Sequence, residues 1–179
     1  MKLTLPQAVL IGLGLAASAI YLTSPPTEAT MDPATAARTY LNPESLGGPP
    51  PGFSHVVITT GGKLIHISGQ TARGADGKLV GAGDLAAQAA HVLKRIKLAL
   101  AAAGATPDDV VRRRIYVVDF KPGDLQIVRE AFAKHLPQKN PAASTLIGIS
   151  ALAFPGYLIE VDVTAHLADQ GGENDDPHK

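Results

Sequence analysis

The chain has 179 residues, 45% hydrophobic and 18% charged, and its 16 basic and 16 acidic side chains cancel to a formal net charge of zero. That length fits one domain with extensions. Neutral balance, four Phe, four Tyr and no Trp argue against a nucleic-acid surface, which shows as a basic patch with stacking aromatics. Without cysteine there is no disulfide, no thiolate zinc site and no cysteine nucleophile, which is compatible with an oxidising compartment without establishing one.

Lys2 is followed by an uncharged stretch up to Glu28, almost wholly apolar from Ala8 to Leu22, and then by Thr23-Ser24-Pro25-Pro26. A basic start, an apolar centre and a polar end form the layout of a secretory signal, with a cleavage point after Thr27-Glu28-Ala29. The competing reading is an uncleaved anchor, since a helix from Leu3 to Leu22 would reach roughly 30 Å, enough to span a bilayer. Pro6, Gly12 and Gly14 weaken the segment as a permanent helix. Residues 1–29 are therefore expected to be a signal peptide or an N-terminal membrane anchor. Either one exports the domain, to the periplasm or to the periplasmic side of a membrane, and the membrane is a partner only if the segment stays uncleaved.

Half of the fourteen prolines fall between Ser24 and Gly52, ending in Gly47-Gly48-Pro49-Pro50-Pro51-Gly52, so residues 30–52 are expected to be a Pro/Gly-rich linker. The polar tail, 169–179, is expected to be disordered. A single domain remains, 53–168. Within it, His55 to Thr59 and Leu64 to Gln70 are β-branched runs either side of Thr60-Gly61-Gly62-Lys63, a hairpin pattern. Asp84 is an N-cap for a long helix ending at Gly104, whose stripe Leu85, Ala89, Val92, Leu93, Ile96 and Leu100 keeps the 3.6 period. Val110 to Asp119 follows as a strand, Asp124 to Leu136 as a second helix, and Ser144 to Leu152 and Tyr157 to Leu167 as the last two strands.

The final strand divides cleanly. Tyr157, Ile159, Val161, Val163, Ala165 and Leu167 alternate with Leu158, Glu160, Asp162, Thr164 and His166. Strand two divides similarly, Ile65 and Ile67 against His66, Ser68 and Gln70. Two helices cover one face of such a sheet. The other face mixes polar residues with Leu64 and Leu158, a pattern that favours a subunit interface with polar clefts over open solvent.

Several fragments resemble, in register, the Rid family (reactive intermediate deaminases, or YjgF-like proteins). They are Gly52-Phe53-Ser54-His55, Ile67-Ser68-Gly69-Gln70, Gly83-Asp84 with Gln88, Ala103-Gly104 with Asp109-Val110-Val111, Pro141 to Thr145, Leu152, and Ile159-Glu160-Val161. The resemblance covers Phe53 to Leu167. It implies a chorismate-mutase-like α/β (α+β) fold, a five- or six-stranded mixed sheet with two helices on one face, assembled as a homotrimer with active sites between subunits. It also implies hydrolytic deamination of small enamine or imine acids to keto acids and ammonia without a cofactor, the alternative being a binding or scavenging module with the same fold. Ribonuclease activity, attached to some relatives, fits the neutral charge poorly.

Carried over by position, Glu160 stands where the family's glutamate positions water. Ser68 and Gly69 border the cleft, Phe53 replaces a tyrosine, Gln126 stands near an asparagine of helix two, and Thr145 replaces a cysteine or threonine. Ala143 stands where family deaminases carry the arginine that grips the substrate carboxylate, a bidentate contact alanine cannot imitate. Arg112 and Arg114 share one strand face with Arg113 on the other; either of them, or Arg73, is a candidate for the missing cation, though such charges also serve to discourage edge aggregation. His66 fits a structural role better than a chemical one. The six histidines show no metal-ligand spacing, so no metal is expected. Gly81 and Gly83 read as turn glycines rather than as a phosphate loop.

Overall fold

The longest element begins where the capping residue predicts. In the computed structural model, which describes residues 37–168, helix α1 (Leu85–Ala102) starts with the Asp84 carboxylate accepting the Ala87 N–H at 3.0 Å. It ends as Gly104 turns left-handed (φ 73°), letting the Ala105 N–H reach the Leu100 carbonyl at 2.8 Å. Ala89, Val92, Leu93, Ile96 and Leu100 are all buried, and each large side chain so buried contributes about 1.5–3 kcal/mol. Helix α2 (Asp124–His135) carries Asp124 in its first turn and Lys134 and His135 in its last, matching its dipole, and buries Val128, Ala131 and Phe132.

Among the described residues six strands accompany the helices: β1 (Ala37–Leu41), β2 (Val56–Thr60), β3 (Lys63–Thr71), β4 (Val110–Val118), β5 (Ala143–Ile149) and β6 (Ile159–Leu167). The main sheet has the order β3-β6-β4-β5, with β6 antiparallel to both neighbours and β5 parallel to β4. Helix α2 forms the crossover between the two parallel strands, the connection parallel pairing demands. Ile67, Ile115, Val117, Ile159, Val161, Val163 and Ala165 join the helix stripes in one apolar core, so the sheet has a helix-covered face and an open one.

The segments read as signal or anchor (1–29) and as tail (169–179) lie outside the described residues, as do residues 30–36 of the expected linker. The rest of that linker is built into the fold. Ala37 to Leu41 pair antiparallel with β2, Ala37 opposite Thr60 through Leu41 opposite Val56. Arg38 meets Asp109 at 3.2 Å and donates to the Asp108 carbonyl at 2.6 Å. Proline density masks this strand in the sequence, although no proline falls between Ala34 and Asn42 and every N–H there is free to pair.

The expected Thr60–Lys63 hairpin also differs, because β2 and β3 belong to different sheets. Gly61 and Gly62 bend the chain sharply. A Cβ on Gly62, at φ 67°, would fall 2.2 Å from the Leu167 carbonyl oxygen, so only glycine lets the turn settle on the end of β6. A further difference concerns Gln70. A bulge between Ile67 and Gln70 shifts the β3–β6 register, so Gln70 lies opposite Val161 and accepts from Arg95 of α1 at 3.0 Å. It faces the helices, not the open side with His66.

Candidate active site on the open sheet face

Residues paired across adjacent strands share a face, which arranges the open face in rows. Thr164, Arg112 and Ala143 form one row, Asp162, Arg114 and Thr145 the next, and Glu160, Tyr116 and Ile147 the third, with Thr71 of β3 beside Glu160. Arg114 is engaged within its row, its Nε 2.9 Å and 3.1 Å from the two Asp162 oxygens, and this pairing raises its pKa. Arg112 is exposed on the row that contains Ala143.

Glu160 and Gly69 are in intimate contact. A Cβ at Gly69 would lie 1.7 Å from Glu160 Oε1 and 2.6 Å from its Cδ, so the missing side chain is the space the carboxylate occupies. Ser68 adjoins this contact in the bulge, its carbonyl accepting from the Gln70 amide at 3.1 Å. The strand that carries Glu160 is held from behind by Gln88 of α1, which is fully buried. Its Nε2 donates to the Gly81 carbonyl at 3.0 Å and the Gly156 carbonyl at 2.9 Å, and its Oε1 accepts from the Leu158 N–H at 2.8 Å. Every polar atom of this amide is used, which fixes the chain two residues before Glu160.

Glu160, Gly69 and Ser68 are thus together, and Ala143 and Thr145 share their face. One chain does not bring the two groups into one small-molecule site. Ala143 lies two strands from β6 and four residues from Glu160 along the strand direction, which at ordinary sheet spacings is roughly 16 Å. Phe53 lies at the β5 edge, where Ser54 bridges to Ala143, and its ring meets His55 edge-on at 5.6 Å. Gln126 is exposed on α2, donating to Glu130 at 2.7 Å, in the layer on the other side of the sheet from Glu160. Among the described residues, no three His, Asp or Glu side chains gather as metal ligands.

Residues 48–167 match the family model described as Endoribonuclease L-PSP. The chain belongs to the Rid family. It is 32% identical over 122 residues to the 3-aminoacrylate deaminase RutC of Acinetobacter baylyi, covering 68% of this chain and 93% of RutC. Its fold is similar to that of YyfB of Yersinia pestis, a Rid protein of unknown function, with a TM-score of 0.67 and 45% identity over 73% of this chain and 98% of YyfB. RidA of the Antarctic bacterium Psychrobacter sp. PAMC 21119 is 26% identical, with a TM-score of 0.53, over 64% of this chain and 88% of RidA. The α+β architecture with two helices and a mixed sheet is the Rid fold.

Two residues of this Rid domain escaped the alternation argument. Arg113, assigned from sequence only to the face opposite Arg112 and Arg114, is 9% exposed on the helix side. Its guanidinium stacks on Phe132, 4.3 Å from the ring centre, while Nε donates to Ser144 Oγ at 3.0 Å and Nη2 to the Gly52 carbonyl. Burial pushes its pKa down to about 10. His166, read as an open-face residue, is 1% exposed, because the Gly61–Gly62 bend closes over it and places the Gly61 carbonyl 2.9 Å from Nε2. Its Nδ1 is buried without a partner among the described residues. A triple arginine run and a glycine pair are the only signals of these two burials in the sequence.

Proposed function

We propose that this Rid protein hydrolyses a small imine, or an enamine through its imine tautomer, at clefts formed between subunits of a homotrimer. Water adds to the C=N carbon with Glu160 taking its proton and passing it to the nitrogen. The resulting carbinolamine, with its hydroxyl proton moved to the nitrogen through the same carboxylate, collapses to the carbonyl product and ammonia. The observation that carries the reading is the Glu160–Gly69 contact, a carboxylate seated on the open face in space that any other residue would fill. The roughly 16 Å between Ala143 and Glu160 within one chain supports a second chain completing the cleft, as do the exposed apolar side chains Val56, Ile58, Leu64 and Ile147. The activity in RutC's name supports the reaction class. In place of the carboxylate clamp absent at Ala143, Arg112 of one subunit supplies a cation to the cleft that holds Glu160 of the next. RNA cleavage has less support, because acidic Glu160 and Asp162 alternate with the arginines on a net-neutral chain.

The test is a coupled assay of the full chain on 2-iminobutanoate generated in situ. Glu160→Gln is expected to lower kcat by about two orders of magnitude, and Arg112→Gln to raise KM. Ala143→Arg is expected to improve carboxylate binding about ten- to a hundredfold. Wild-type turnover unaffected by Glu160→Gln would overturn the mechanism. Inactivity of both wild type and Ala143→Arg, in an intact trimer, would point to a binding module instead. Sedimentation showing a monomer at micromolar concentration would remove the cleft. We further propose export through residues 1–29; a fusion of residues 1–52 to a reporter active only outside the cytoplasm should be active.

A further inference from the structure

On the helix side of the sheet, away from Glu160, a cavity of about 690 Å³ opens between α2, β4, β5 and the Pro51–Phe53 segment. Its volume lies in the range of small-molecule sites. Its walls are mainly apolar, built around Phe53, Leu125, Val128, Phe132 and Leu146, and among the described residues its only charged lining residues are Arg113 and Arg129. Among the described residues no acidic side chain lines it and no carboxylate pairs with Arg113. A guanidinium this buried without a counter-charge is costly.

The rest of Arg113 is held rigid. Phe132 stacks on one face, and Ser144 and the Gly52 carbonyl take Nε and Nη2. Nη1 makes no hydrogen bond to the protein among the described residues, and Arg113 is one of the residues that line the cavity. A pre-organised donor, a positive charge without its anion and an apolar chamber together specify an amphipathic monoanion. We propose that this cavity binds a monocarboxylate with an aryl or branched alkyl body, its carboxylate on Arg113 Nη1 and its body between Phe53 and the α2 side chains. Arg113 pairs across the sheet with Ser144, whose neighbour Ala143 points to the opposite face, so the chain holds its buried carboxylate receptor on the side of β5 away from the Glu160 carboxylate. The site lies across β5 from Glu160; it takes in Phe53, which the resemblance assigns to the deamination cleft, and it does not depend on the deamination reaction.

Titration calorimetry of the full chain with 3-phenylpropanoate and with 3-phenylpropanamide tests this. The carboxylate is expected to bind at least about tenfold more tightly than the neutral amide, the discrimination a charge-assisted contact supplies. Arg113→Gln should erase that preference. Because that substitution alters a buried residue, Ala133→Trp is the second variant: Ala133 is an exposed helix residue at the cavity wall, and the indole should abolish binding of both probes while circular dichroism stays unchanged. Absence of binding at millimolar carboxylate, equal affinity for the two probes, or binding indifferent to Ala133→Trp would each overturn the proposal.

Discussion

The two faces of the main sheet divide the work of this molecule. On the helix face, alternate residues of β4 and β6 are sealed; of the polar groups there, Gln88 has every polar atom of its amide bonded inside the protein, and Arg113 is held by two internal hydrogen bonds and the Phe132 ring. On the open face the same strands present Glu160, Tyr116, Asp162, Arg114, Thr164 and Arg112, with one internal ion pair and much unused capacity. Pleated alternation alone makes this division. It follows that stability and chemistry can be altered almost independently, by substituting odd or even positions of one strand.

The strongest test lies on the helix face. Leu93→Ala removes a side chain 1% exposed in the core, and chemical denaturation should show a loss of about 2–5 kcal/mol, a large share of the stability of such a domain. A loss below about 1 kcal/mol would mean that the helix layer is not the main source of stability. Next comes Gln88→Leu, which strands the Leu158 N–H and the Gly81 and Gly156 carbonyls; the expected loss is about 2–3 kcal/mol. It should also lower turnover, since the strand carrying Glu160 loses its anchor. Unchanged kcat in the folded variant would show that Glu160 is placed by the sheet alone.

On the open face the expected stability effects shrink while the functional ones grow. Gly69→Ala forces the Glu160 carboxylate out of its seat; the melting temperature should move little and imine hydrolysis should fall as far as in Glu160→Gln. Retained activity would separate the Gly69 contact from the chemistry. Smallest of all is Asp162→Asn. It breaks the pair with Arg114, whose side chain is half exposed in the chain and lies beside the proposed wet cleft, and pairs open to water contribute little, so its denaturation midpoint should match the wild type. A clear destabilisation would show that the pair lies in a dry part of the proposed subunit interface rather than in its water-filled cleft.

Local chemistry made much of this legible from the sequence. Asp84 and Gly104 bracket α1 because capping and left-handed turns depend on a few neighbouring residues, and the stripes of α1 and β6 mark the core because side-chain direction follows backbone period. The same alternation put Glu160 opposite the core and Arg113 opposite Arg112. What only the tertiary structure decided required chain segments distant in sequence to meet. The β3 bulge turned Gln70 toward Arg95, the Gly61–Gly62 bend buried His166, β1 emerged from a proline-rich stretch by pairing with β2, and Gly52, Phe132 and Ser144 closed around Arg113. Periodicity reports which way a side chain points; what it meets there depends on long-range pairing and register, which no local run of residues encodes.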